Sequence, residues 1–154
     1  MHKFQKDDIP QLQEFLQQCK NHDSEIERFQ YDWMARLLFV ELYNSLYHER
    51  LKITFRNVAL LFCVQGNWMA GDRKAVLGIV VEEDDSKIRN CAQTCSLNDE
   101  YSYVIEKNYT QMRKCAQTFS QLEGCLYLVL QTFSGDEIHI LAEEMEIDRI
   151  VGSC

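Results

Sequence analysis

The chain has 154 residues, 46% of them hydrophobic and 26% charged, enough for a single domain whose core needs no disulfide or metal to staple it. One proline and six glycines exclude a proline-rich docking tail, and no apolar run of about 18 residues is present to cross a membrane as a helix. The net charge of −8 is uneven: residues 1–78 carry ten basic against ten acidic side chains, and residues 79–154 carry six against fourteen. That acidic half repels phosphate backbones, which disfavours nucleic acid as a partner and favours a basic protein surface.

The N-terminal stretch MHKFQKDDIP has no apolar signal core, so the expected location is cytoplasmic or nuclear. Seven cysteines (Cys19, Cys63, Cys91, Cys95, Cys115, Cys125, Cys154) are odd in number and irregular in spacing. Without an export signal they read as free thiols, with Cys63 and Cys125 as small core residues inside apolar runs.

Asp7-Asp8-Ile9-Pro10 reads as a helix start, with a carboxylate near the N-cap and proline in the first turn. Ile9, Leu12, Phe15, Leu16 and Cys19 then recur on one face, predicting a helix over about 8–20. Ser24 and Glu27 match a capping box, which predicts a second helix over about 25–50 folded back on the first. On that helix Ile26, Phe29, Trp33, Leu37 and Val40 would form an apolar face, and Asp32 with Arg36 a polar stripe. Beyond Arg36 the stripe is replaced by Phe39, Tyr43 and Leu46, leaving a helix apolar nearly all round.

From Leu51 the pattern changes to β-branched and aromatic residues, predicting strands at about 52–65 and 74–83 around the loop GNWMAGD. A third strand is expected at about 101–108, an inserted helix near 109–122, and a hairpin of strands at about 125–133 and 137–143 turning at Ser134-Gly135-Asp136. MEIDRIVGSC reads as a fraying helical turn. The expected fold is therefore α+β: an N-terminal helical hairpin packed on an antiparallel sheet of about five strands.

Chemistry is sparse. Cys91 and Cys95 have C-x3-C spacing but no second tight pair to complete a zinc site. His22 lies in a turn, His48 near the end of the expected long helix, and His139 alternates with Ile138 and Ile140 and so should face solvent. No nucleophile elbow, zinc-protease motif or phosphate loop occurs, and nothing calls for a metal or a cofactor. Two features carry physical content. One is the surplus apolar surface at Phe39, Tyr43 and Leu46, with Tyr47 beside it, because exposed aromatics mark partner surfaces. The other is acidic: Glu82, Glu83, Asp84 and Asp85, with Glu143–Asp148 further on, a landing site for a basic partner.

These features point to a non-enzymatic interaction module, an adaptor or complex subunit that binds another protein or itself. The alternative is a small-molecule-binding or enzymatic domain with an apolar pocket between the long helix and a curved sheet, lined by Trp33, Trp68, Tyr101 and Tyr103.

Overall fold

A computed structural model describes residues 1–32, 34–64, 75–83, 112–114, 124–133, 135 and 137–152. In chain order these form β1 (His2–Phe4), a 3-10 turn (Lys6–Asp8), α1 (Ile9–Gln18), β2 (Glu25–Asp32), β3 (Leu37–Asn44) and β4 (Glu49–Val64). β5 (Val76–Glu82), β6 (Met112–Lys114), β7 (Leu126–Thr132) and β8 (Glu137–Val151) follow. All eight strands belong to one antiparallel sheet.

The helix at the N-terminus is as the sequence predicts, with Leu12 and Leu16 buried on its inner face. The second helix does not exist. Residues 25–44 are a β-hairpin, so the expected helical hairpin on a five-stranded sheet gives way to a sheet-dominated fold carrying a short helix. The reason is local. In Leu37–Asn44 the buried residues are Leu38, Val40, Leu42 and Asn44, a period of two, while Leu37, Phe39 and Tyr43 lie half-buried on the other face. A strand apolar on both faces carries the same residues as a helix apolar all round, and the density of aromatic and β-branched side chains favours the strand.

The hairpin turn is made where the helix reading put a salt-bridged stripe. Asp32 Oδ1 accepts the N–H groups of Met34 and Ala35, both at 3.1 Å, and Arg36 takes φ 54°. Ser24 caps nothing: its hydroxyl donates to the Lys20 carbonyl at 2.8 Å, and Glu27 pairs with Arg50 instead of closing a capping box.

The remaining strands fall near their predicted positions with two corrections. β8 runs on to Val151, so MEIDRIV is strand and not a helical turn: Met145 and Ile147 point inward while Glu144 and Asp148 are on the opposite side. Met112–Lys114, inside the expected helix near 109–122, is a strand paired with Leu60–Phe62 of β4. The rest of that stretch, and the expected strand at 101–108, lie outside the described residues.

β4 and β8 form a long central ribbon, Glu49 opposite Val151 through Val64 opposite Glu137. The ribbon bends at a bulge between Val58 and Leu60, next to Asn57 at φ 53°. Asparagine tolerates that left-handed backbone better than most residues, and the Val58 N–H is satisfied by the Arg36 carbonyl at 3.0 Å. The bend lets β4 pair with β3 along its first half and with β6 along its second. β8 likewise pairs with β7 along Glu137–Ala142 and with β1 at Met145–Ile147.

The sheet order β2-β3-β4-β8-β7-β5 closes on itself at one point. Ala75 bridges Glu25, the Val76 N–H donates to the Ser24 carbonyl at 2.7 Å, and the Asp23 N–H donates to the Val76 carbonyl at 2.9 Å. Following the register around this ring leads from Val151 at the end of β8 back to Glu137 at its beginning. Such a stagger means steeply inclined strands. Beyond the bridge β2 and β5 diverge, and α1 contacts β5 and sends Leu12 and Leu16 into the core formed by Leu38, Val40, Phe55, Leu128, Ile140 and Met145 among others. Each such side chain contributes about 1.5–3 kcal/mol by leaving water.

The carboxylate of Glu49 fixes the C-terminal end of α1. It is 3% exposed, accepts the Lys20 N–H at 2.6 Å, and is held by Arg149 Nε at 2.9 Å and Nη2 at 2.8 Å. Arg149 also donates to the Gln18 carbonyl at 3.1 Å, meeting one of the carbonyls that a helix end leaves open.

Candidate functional site

Phe39 and Tyr43 lie on the outer face of β3, which the hairpin register places between β2 and β4. Neither stands bare. The Arg28 guanidinium lies 5.0 Å from the Phe39 ring centroid, and that of Arg50 lies 4.8 Å from the Tyr43 ring. Glu41, between the two rings on the same face, is 3.6 Å from Arg28 and 3.6 Å from Arg50, and Arg50 also pairs with Glu27. The surplus apolar surface read from the sequence is thus covered here by cation–π contacts and an ion-pair network.

Leu46 and Tyr47 sit elsewhere, on the turn between β3 and β4. The buried Asn44 builds that turn: its Oδ1 accepts the Leu46 N–H at 3.0 Å and the Tyr47 N–H at 3.3 Å. Its Nδ2 donates to the Lys20 and His22 carbonyls at 3.0 and 3.1 Å. His48 takes φ 51° and accepts the Gly152 N–H at 2.7 Å, tying the end of β8 to the turn. A Cβ on Gly152 would lie 3.3 Å from that carbonyl, so the approach suits glycine.

Four apolar side chains are exposed around the corner so formed, with Ile150 and Val151 on opposite faces of β8: Leu46 (76%), Tyr47 (51%), Ile150 (42%) and Val151 (60%). Lys20 Nζ lies 5.3 Å over the Tyr47 ring at its edge. The sequence reading identified Leu46 and Tyr47 but not Ile150 and Val151, because it ended the last strand at residue 143. The strict alternation from Glu144 to Asp148 was the signal that could have carried the strand onward.

The acidic features separate. Glu82 ends β5 and is half-buried, and Glu83 is exposed after it; Asp84 and Asp85 lie outside the described residues. In the second segment Glu146 is buried between Arg56 Nε at 2.8 Å and Lys3 Nζ at 3.7 Å. The Arg56 hydrogen bond holds its carboxyl below the ordinary value. Glu143 is exposed and accepts from Asn57 Nδ2 at 3.1 Å.

His139 does not face open solvent as the alternation suggested. Its side chain is 14% exposed, with Nδ1 2.7 Å from the Tyr127 hydroxyl and Nε2 3.5 Å from Glu137. Burial lowers its pKa against the pull of Glu137 and Glu82. Tyr127, Val129 and Leu141 are also buried on this side of the sheet, so opposite faces of β7 and β8 are both sheltered. Cys19 and Cys125 are buried thiols, pushed up by burial to about 11 and about 12, far from the range of a reactive thiolate.

Among the described residues a void lined by Val40, Phe55, Leu128 and Met145 measures about 10 Å³, the scale of one water molecule in a wholly apolar setting. The long helix that was to wall an apolar pocket is absent, and Trp33, Trp68, Tyr101 and Tyr103 lie outside the described residues. A larger recess, about 300 Å³, opens between α1 and β5. Among the described residues no three His, Cys, Asp or Glu side chains converge as a metal-binding group, and Cys91 and Cys95 lie outside them. No described helix is long and apolar enough to cross a membrane. No family model, curated protein or solved structure matches this chain.

Proposed function

We propose that the protein is a non-enzymatic interaction module, an adaptor or subunit of an intracellular complex, which binds a partner protein through the corner formed by the β3–β4 turn and the end of β8. The observation that carries this reading is the exposure of Leu46, Tyr47, Ile150 and Val151 on a backbone already fixed by Asn44 and by the His48–Gly152 bond. Large apolar side chains on a pre-ordered frame bind without the entropic cost of ordering a loop. The net charge of −8 favours a partner with a basic surface, drawn in over distance and then seated on the apolar corner.

The test compares wild type with Leu46→Asp/Tyr47→Ser in affinity capture from native extract, beside the solution mass of each protein. Both side chains are exposed, so the variant should melt within a few degrees of wild type. Loss of the same basic protein in the variant supports the reading, and loss of a dimer mass assigns the corner to self-association. Identical captured proteins and identical masses reject the corner as a contact surface. Phe39→Asp/Tyr43→Asp serves as the comparison, since those rings already hold Arg28 and Arg50.

A further inference from the structure

The recess between α1 and β5 is separate from the corner and has its own chemistry. β5 pairs along one edge with β7, from Val76 opposite Thr132 to Glu82 opposite Tyr127. Along its other edge Val76 exchanges hydrogen bonds with Asp23 and Ser24. A bulge in the pairing with β7 follows between Val76 and Gly78. Among the described residues no strand pairs with the second edge from Leu77 to Val81. An open strand edge is a row of backbone donors and acceptors spaced for another extended chain.

The recess lies against this edge. Gln13, Gln17 and Asn21 supply amides from the helix side, and Leu16, Ile79 and Val81 supply an apolar floor. Gln13 and Gln17 are four residues apart, so both amides project from one face of α1. Each amide both donates and accepts, which suits a peptide group. A Cβ built on Gly78 meets nothing within 4 Å, leaving a place where a second backbone can come close. Among the described residues no charged side chain lines the recess, although the chain carries −8. A charged side chain entering it would lose hydration without gaining a counter-ion.

We infer that this recess binds an extended, uncharged peptide segment of a partner protein, added as a strand to the edge of β5 that no described strand occupies and flanked by the amides of α1. The mode is strand addition: main-chain bonds supply the affinity, and alternate side chains meet the Leu16–Ile79–Val81 floor and the amides. The helix forms the opposite wall, so the slot suits a single chain rather than the edge of a second folded sheet. This inference is independent of the corner, and either can fail alone.

The test pans a phage-displayed library of random dodecapeptides against the full chain, with Gly78→Phe as the counter-selecting control. The phenylalanine enters open space, so the variant should keep the wild-type melting temperature while filling the recess. Recovered peptides should be uncharged over their central residues and lose affinity about ten-fold or more for Gly78→Phe, and several-fold for Gln13→Ala/Gln17→Ala. On binding they should slow hydrogen exchange at the amides of Leu77–Val81, and N-methylation at alternate peptide residues should abolish binding. Peptides indifferent to Gly78→Phe overturn the inference, as does a selection that enriches nothing over that control. Protection of the same amides that rises with protein concentration alone, together with a dimer mass, also overturns it, because the edge then belongs to a second copy.

Discussion

Replacing Arg149 by alanine should cost more stability than replacing the glutamate it holds. Glu49 is the buried partner, with a side chain 2% exposed against 32% for Arg149. Arg149→Ala leaves a carboxylate in the protein interior with the Lys20 N–H as its remaining named donor. Orphaning one member of a buried pair costs about 3–5 kcal/mol, and the partial exposure of Arg149 argues for the low end, about 3 kcal/mol. Glu49→Ala removes the acceptor of the Lys20 N–H, worth about 1–3 kcal/mol, while the guanidinium recovers water and keeps its bond to the Gln18 carbonyl. About 2 kcal/mol is expected there.

The double variant has no orphaned charge, so it should lie near Glu49→Ala alone rather than at the sum of the two. For a chain of this size about 1 kcal/mol moves the melting temperature by about 2–4 °C, so Arg149→Ala should fall by roughly 6–12 °C. Urea unfolding read at the midpoint, with an unchanged slope, measures all three variants. If Arg149→Ala lies within about 1 kcal/mol of wild type, or the single effects simply add, the carboxylate is not the anchor of α1 described above.

Two further expectations concern the closing helix and the pH response. Leu12 is fully buried, so Leu12→Ala should cost about 2–5 kcal/mol, whereas Gln11→Ala beside it on the exposed face should stay within about 0.5 kcal/mol. Equal effects in the same urea assay would mean that Leu12 does not anchor α1 to the core. His139 is depressed below its ordinary 6.5 chiefly by burial, so the unfolded chain binds a proton near that pH before the native one does. Stability should therefore drop as pH falls from 6.5 toward the native pKa. Glu146 is depressed below 4.5 by its Arg56 hydrogen bond, so its contribution is complete above that pH and disappears as pH falls through the lower native value. Proton-resolved titrations by NMR read both directly. A His139 midpoint above 6.5 or a Glu146 midpoint above 4.5 would reverse the assigned signs.

The limits of sequence reading fall at particular residues. Pro10 and the spacing of Leu12, Leu16 and Cys19 specify α1 because a helix with one apolar stripe has no strand equivalent. β7 and the start of β8 are equally legible, as apolar runs around Gly135 at φ 87°. Residues 25–44 are not, since Ile26, Phe29, Leu37 and Val40 satisfy helical spacing while Leu38, Val40 and Leu42 satisfy a period of two. Both periods are present in the sequence, and the S-x-x-E string favours a helix although Ser24 and Glu27 bond elsewhere.

The candidate sites followed the same division. The sequence marks Leu46 and Tyr47 as surplus apolar surface, and they are exposed. Phe39 and Tyr43 are marked for the same reason, but the strand register sets Arg28 and Arg50 over their rings. Neither the recess beside β5 nor the contribution of Ile150 and Val151 to the corner could be read locally, because each depends on residues more than fifty positions apart.

By itself the chain's sequence determined an acidic second half, one short helix and the last hairpin. Each of these rests on composition or on contacts within a few residues. Tertiary structure alone decided that residues 25–44 pair as strands, that β8 continues to Val151, and that Ala75 meets Glu25 to close the ring. The physical reason is that a strand's hydrogen-bond partners come from elsewhere in the chain. An apolar segment with two compatible periods is assigned by whichever long-range edge, here β4 along β3, is available to satisfy its backbone.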